Sequence, residues 1–108
     1  MKKLITILTI LIGLNAYSQV YIPNAFTPDN DGYNDYIAVY TQDTLDVFDF
    51  KIYNAYGEMV HDATEIGDVW MGGQFYYAPS GLYVYILIWR KLGEYSTQTK
   101  QGYINLIR

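Results

Sequence analysis

Residues 47–53 alternate cleanly between apolar and polar positions. Phe48, Phe50 and Ile52 share one side of an extended backbone, and Asp49 and Lys51 point to the other. The pattern predicts a strand. Asn54-Ala55-Tyr56-Gly57 follows as a turn, and residues 58–61 resume as a second strand. Together they predict a β-hairpin whose loop places Gly57 at positive φ. Residues 82–90 form the strongest predicted strand. Tyr83, Tyr85, Leu87 and Trp89 lie on one face, and Leu82, Val84, Ile86 and Ile88 on the other. Apolar residues on both faces predict a central strand, or one face covered by a partner.

Shorter extended runs are predicted at 20–22, stopped by Pro23, and at 36–40, 95–100 and 103–108. Polar turns rich in Asp, Asn and Gly occupy 28–36, and Pro79-Ser80-Gly81 and residues 91–94 are further turns. Residues 67–75 are irregular around Trp70. No long stretch has helical period. About seven short strands at this spacing predict an all-β chain folded as a two-sheet, immunoglobulin-like β-sandwich. Its last strand runs to Arg108, so losing even a few residues there is expected to unfold the domain.

The first residues follow a different pattern. Met1-Lys2-Lys3 is basic, residues 4–14 are apolar apart from Thr6, Thr9 and Gly13, and Asn15-Ala16-Tyr17-Ser18 offers small residues for cleavage after Ser18. This predicts a signal peptide over 1–18 and a domain over 19–108. The apolar run falls short of the roughly 20 residues a membrane-spanning helix needs. A lipoprotein signal is excluded, because the chain has no Cys.

A domain of roughly 90 residues buries only about 60–65% of its unfolded surface. Without disulfides it must rely on aromatic burial, a bound ion or a partner. Its 13 Tyr and two Trp fit the first option. The formal charge is −4, and removing Lys2 and Lys3 with the leader takes it to −6. An acidic surface repels phosphate backbones and anionic lipid, which argues against nucleic-acid or membrane-surface binding.

Catalytic chemistry finds little to work with. The single His, His61, sits on a predicted strand beside Asp62, and adjacent strand residues point to opposite faces. A zinc site of the His/Cys kind is excluded by count, and Gly72-Gly73 does not open a helix as a phosphate loop would. The chain therefore reads as a non-enzyme without a small-molecule substrate. One constellation carries chemistry. In Asp29-Asn30-Asp31-Gly32-Tyr33-Asn34-Asp35, the side chains of Asp29, Asp31, Asn34 and Asp35 are candidate ligands for Ca2+, which favours flexible, carboxylate-rich loops. The spacing departs from an EF-hand. The alternative is an Asx-rich turn whose side chains bond their own backbone.

Four blocks carry a family resemblance. Ile22-Pro23-Asn24-Ala25-Phe26-Thr27-Pro28, continued through residues 29–35, resembles the "IPNAFTPNGDGxND" opening of the gliding-motility-associated C-terminal domain, the type B sorting domain of the type IX secretion system. Residues 52–60 resemble its "IYNRWGxxV" hairpin, Pro79-Ser80-Gly81-Leu82-Tyr83-Val84-Tyr85 its "PSGTYYY" strand, and residues 102–108 its terminal "GxVxLIR". Two departures stand out. Trp70-Met71-Gly72 replaces the usual "WDG", and no passenger lies between the predicted leader and the domain.

The resemblance implies an immunoglobulin-like fold. It also implies export through the inner membrane, recognition in the periplasm by the type IX translocon, and delivery to the cell surface or medium with an outer-membrane barrel of the PorP/SprF kind. Tyr76, Tyr77, Ile107 and Arg108 are the expected partner-contact residues, Tyr being prominent at interface hot spots. Tyr83, Tyr85 and Trp89 are expected in the core. Two other readings fit the residues: a structural surface subunit that self-assembles through strand edges, and a small carbohydrate- or cell-surface-binding module.

Overall fold

The computed structural model describes residues 20–73 and 78–108. The predicted leader and Tyr76-Tyr77 lie outside the described residues. The described chain contains strands β1 (Ala25–Phe26), β2 (Leu45–Tyr53), β3 (Met59–Ala63), β4 (Gly81–Lys91) and β5 (Gln98–Leu106), and no helix. They form one mixed sheet in the order β1-β5-β4-β2-β3. β1 runs parallel to β5, and every other pairing is antiparallel.

The predicted hairpin is β2–β3. Gly57 sits at φ 83°. The Asn54 side-chain oxygen accepts the N–H groups of Tyr56 and Glu58, each at 2.9 Å, and so closes the turn. β4 is central, with both of its edges paired. Alternation then sorts its side chains. Tyr83, Tyr85 and Leu87 are buried and Trp89 packs against the core, whereas Val84, Ile86 and Ile88 are partly exposed on the outer face.

The inner face of the sheet, with Phe50, Ile52, Tyr85, Leu87, Ile104 and Leu106, packs in one cluster with Val20, Ile22, Ile37, Val39 and Trp70. Trp70 lies 5.0 Å from the Tyr83 ring and 5.3 Å from Phe26, centroid to centroid. These covering segments pair only at isolated bridges, Tyr21 with Tyr40 and Ile37 with Trp70. Each bridge exchanges two backbone hydrogen bonds of 2.8–2.9 Å.

The strand count therefore differs from the sequence expectation. Runs 20–22 and 36–40 pair for single residues rather than as strands, while 95–100 and 103–108 contribute to one strand, β5, which begins at Gln98 and ends at Leu106, so the last strand stops short of Arg108. Gly102, which falls between the two predicted runs, is a strand residue required by packing. The Tyr85 ring lies directly over it, and an ideal Cβ there would sit 2.7 Å from the Tyr85 hydroxyl.

His61 packs edge-on against Phe50 at 6.4 Å, while its neighbour Asp62 pairs with Lys51 on the outer face. The two form no dyad. His61 Nε2 is buried without a hydrogen-bond partner among the described residues. Burial lowers the imidazole pKa, opposed by the charges of Asp68 and Asp62. The unfolded chain therefore binds more protons than the fold below about pH 6.5, and stability falls as the pH drops through that value toward the folded pKa. His61→Phe keeps the ring contact and removes the orphaned nitrogen. It is expected to raise stability by about 1 kcal/mol and to flatten the decline that sets in as the pH falls below about 6.5, as read by urea unfolding at a series of pH values.

Candidate functional site

The topology brings the four resembling blocks to one end of the sheet. β5 and the parallel β1 both exit there, β2 ends there, and β4, antiparallel to β2 and β5, begins there. The Asp-rich loop follows β1, the 54–57 turn follows β2, Pro79-Ser80-Gly81 leads into β4, and Ile107-Arg108 follows β5.

Arg108 ties this end together. Its backbone N–H donates to the Ser80 hydroxyl at 2.9 Å. Its Nε donates to the Ala78 carbonyl at 2.8 Å and a terminal nitrogen to the Gly72 carbonyl at 3.1 Å. A guanidinium is always charged and presents donors in a fixed fork, so one side chain can hold two carbonyls. Gly72 makes room for it. At φ 82°, an ideal Cβ on Gly72 would lie 2.7 Å from the guanidinium, a position only glycine tolerates. Ile107 donates its N–H to the Phe26 carbonyl at 3.0 Å and leaves its side chain 48% exposed. Two of the expected contact residues, Ile107 and Arg108, thus stand side by side. Gly72 and Ala78, which Arg108 holds, flank the segment carrying Tyr76 and Tyr77.

The Asp-rich loop is built from side chain to backbone bonds. Asp35 accepts the N–H groups of Asn30 at 2.9 Å and Gly32 at 2.8 Å. Asp29 accepts from Asp31 at 3.2 Å, and Asp31 from Tyr33 at 2.8 Å. Asn30, Gly32 and Asn34 take φ values of 66°, 90° and 51°, the left-handed region that Asn and Gly tolerate best. The Thr27 N–H bonds the Asn34 carbonyl at 2.7 Å and closes the neck. Asn34 thus contributes its main chain to the loop's closure.

One carboxylate oxygen from each of Asp29, Asp31 and Asp35 lies within 4.8 Å of the others. A hydrogen bond with the Asp31 side chain holds the Asp29 carboxyl above its ordinary pKa. At Asp35 desolvation pushes upward, but the N–H groups of Gly32 and Asn30 pull its carboxyl below the ordinary value. An exposed triad of this kind can hold a hard cation through oxygen ligands.

A cavity of about 250 Å³ opens between the hairpin turn and the start of β4, lined by Asn54, Tyr56, Val60, Pro79, Leu82 and Tyr83 among others. Sequence reasoning passed over this cavity, and also over Gly72 and Ser80 as the seats for Arg108. A signal was available: the cavity joins two of the resembling blocks, and such turns approach each other only when β2 and β4 are neighbours. Where the family usually carries a carboxylate, Met71 is exposed, while Trp70 beside it is buried in the core.

Residues 20–106 match the family described as the CHU_C Type IX secretion signal domain. No curated protein and no solved structure matches the chain. The match takes in all five strands and most of the end at which the blocks converge. The chain belongs to the type IX secretion signal domain family, and as such a sorting domain it implies recognition by the type IX machinery and export to the outer membrane, the cell surface or the medium.

Proposed function

We propose that the domain is a non-catalytic sorting unit that docks through its Arg108 end onto an outer-membrane barrel of the PorP/SprF kind. Residues 1–18 serve as its secretory leader. The observation that carries this reading is the convergence of the four blocks at one end of the sheet, where Ile107, Tyr56 and the cavity of about 250 Å³ are exposed together. A cavity of that size suits one inserted side chain better than a small-molecule substrate, whose pockets are typically larger. The packing of Val20, Ile22, Ile37, Val39 and Trp70 against the sheet's inner face, with the bridges of Tyr21 with Tyr40 and Ile37 with Trp70, supports an immunoglobulin-like sandwich. On this reading, the chain leaves one layer at Pro23 and joins the other as β1.

The test is affinity capture from native outer membranes, using the chain from residue 19 onward. Capture of a PorP/SprF-like barrel, lost in Ile107→Ser with unfolding unchanged, supports docking at this end. Capture that survives Ile107→Ser moves the contact elsewhere, and no barrel at all sinks the reading.

The same loop is the proposed calcium site, with Asp29, Asp31 and Asp35 as ligands and Asn34 shaping the neck. Millimolar Ca2+ is expected to raise the thermal midpoint, and Asp31→Asn is expected to abolish the rise. An unchanged midpoint would leave the loop as an Asx turn held by its own backbone.

A further inference from the structure

β1 covers only the last two residues of β5, pairing with Asn105 and Leu106. The rest of β5, from Gln98 to Ile104, has β4 on one side and, among the described residues, no strand on the other. The N–H groups of Asn105 and Ile107 point outward, to Asn24 at 2.8 Å and Phe26 at 3.0 Å. Strand alternation then turns the N–H and C=O groups of Thr99, Gln101 and Tyr103 to the same open side. Unpaired edges of this kind template pairing with another chain, and natural sheets usually guard them with charge, Pro or bulges. Lys100 is the only charged residue in this stretch, which contains no Pro.

A second observation concerns the inner side of the same edge. Tyr85 is only 5% exposed, and its hydroxyl reaches across bare Gly102. No described residue hydrogen-bonds that hydroxyl.

We propose that this edge pairs with the same edge of a second copy, antiparallel about Gln101. A two-fold axis there sets Gln101 against itself, Thr99 opposite Tyr103 and Lys100 opposite Gly102. The residues with outward backbone groups fall opposite one another, as an antiparallel ladder requires. Tyr103 and Thr99 form an aromatic–β-branched cross-strand pair on the outer face. On the inner face, Lys100 of the second copy comes over Gly102, where its ammonium can donate to the Tyr85 hydroxyl. No like charges oppose each other in this register. β1 prevents sliding toward Arg108, because Ala25 already occupies the place beside Asn105. The surface is isologous, as closed dimers require, and lies along the side of the sheet, away from the Arg108 end.

Sedimentation of the chain from residue 19 onward, from micromolar to millimolar concentration, is expected to show a reversible dimer. Gln101→Lys and Gln101→Glu should each be folded and monomeric alone, because like charges then meet on the axis, and should dimerise when mixed. Gln101→Cys should cross-link to itself under mild oxidation in a chain that has no other Cys. A wild-type monomer at every concentration overturns the proposal, as do single-charge variants that dimerise as well as wild type. If the charge variants lose barrel capture while the wild type stays monomeric, the edge serves a strand of the export machinery and the second copy is ruled out. Loss of barrel capture by Ile107→Ser with the dimer intact would separate this surface from the docking end.

Discussion

Removing residues 103–108 is expected to leave a chain with no cooperative unfolding transition. The deletion takes away Ile104 and Leu106, both fully buried. Each such side chain is worth about 1.5–3 kcal/mol. It also removes the β5 partners of Gly81, Leu82, Tyr83 and Val84, and the strand to which β1 is hydrogen-bonded. The Arg108 bonds to Gly72 and Ala78 go with them. A domain this size holds on the order of 5–10 kcal/mol in total, so losses of this sum exceed what is available. Circular dichroism and thermal melting would check it. Removing only Ile107 and Arg108 is the graded control: it leaves the core side chains in place and should lower the midpoint without abolishing the transition. A sharp transition in the longer deletion would show that β5 is dispensable beyond Gly102.

The second large effect is expected from Gly102→Ala. Within a strand, Ala for Gly ordinarily stabilises by about 0.5–1 kcal/mol. Here the added methyl would lie 2.7–2.9 Å from the hydroxyl, Cζ and Cε2 of Tyr85. The ring is also pinned on its other side, 5.6 Å from Phe50. Overpacking of this kind typically costs 1–3 kcal/mol, so a net loss of about 2 kcal/mol is expected from denaturant unfolding. In a Tyr85→Ala background the same substitution should cost little or even stabilise, because the two sites share one contact. Equal losses in both backgrounds would place the clash elsewhere.

Much of the main sheet is legible in the sequence because its strands are long enough to alternate. Residues 47–53 and 82–90 state their buried faces outright, and β2, β4 and the hairpin turn lie where those patterns put them. The elements that escape such reading are held by distant partners. β1 is two residues long and exists because β5 lies beside it, roughly 80 positions away in sequence and invisible to local periodicity. Residues 36–40 read as a strand, but only Ile37 and Tyr40 are paired, where Trp70 and Tyr21 reach them. Gly102 falls in the gap between two predicted runs because nothing local reveals the Tyr85 ring above it.

At the candidate site, the loop chemistry of Asp29, Asp31 and Asp35 could be named from sequence, since turn-forming residues act on their own backbone. The role of Arg108 could not. Its partners are main-chain carbonyls at Gly72 and Ala78, and carbonyls carry no sequence signature.

The parallel pairing of β1 with β5 has a mechanical consequence. A pull applied between the chain preceding Asn24 and the chain following Ile107 runs along both strands in opposite senses. The bonds from Asn105 to Asn24 and from Ile107 to Phe26 then bear the load together, in shear, instead of opening one after another like a zip. Forced unfolding is governed by the barrier to opening rather than by equilibrium stability. A domain of modest thermodynamic stability can therefore transmit tension along its length while a transverse pull peels the same strands apart.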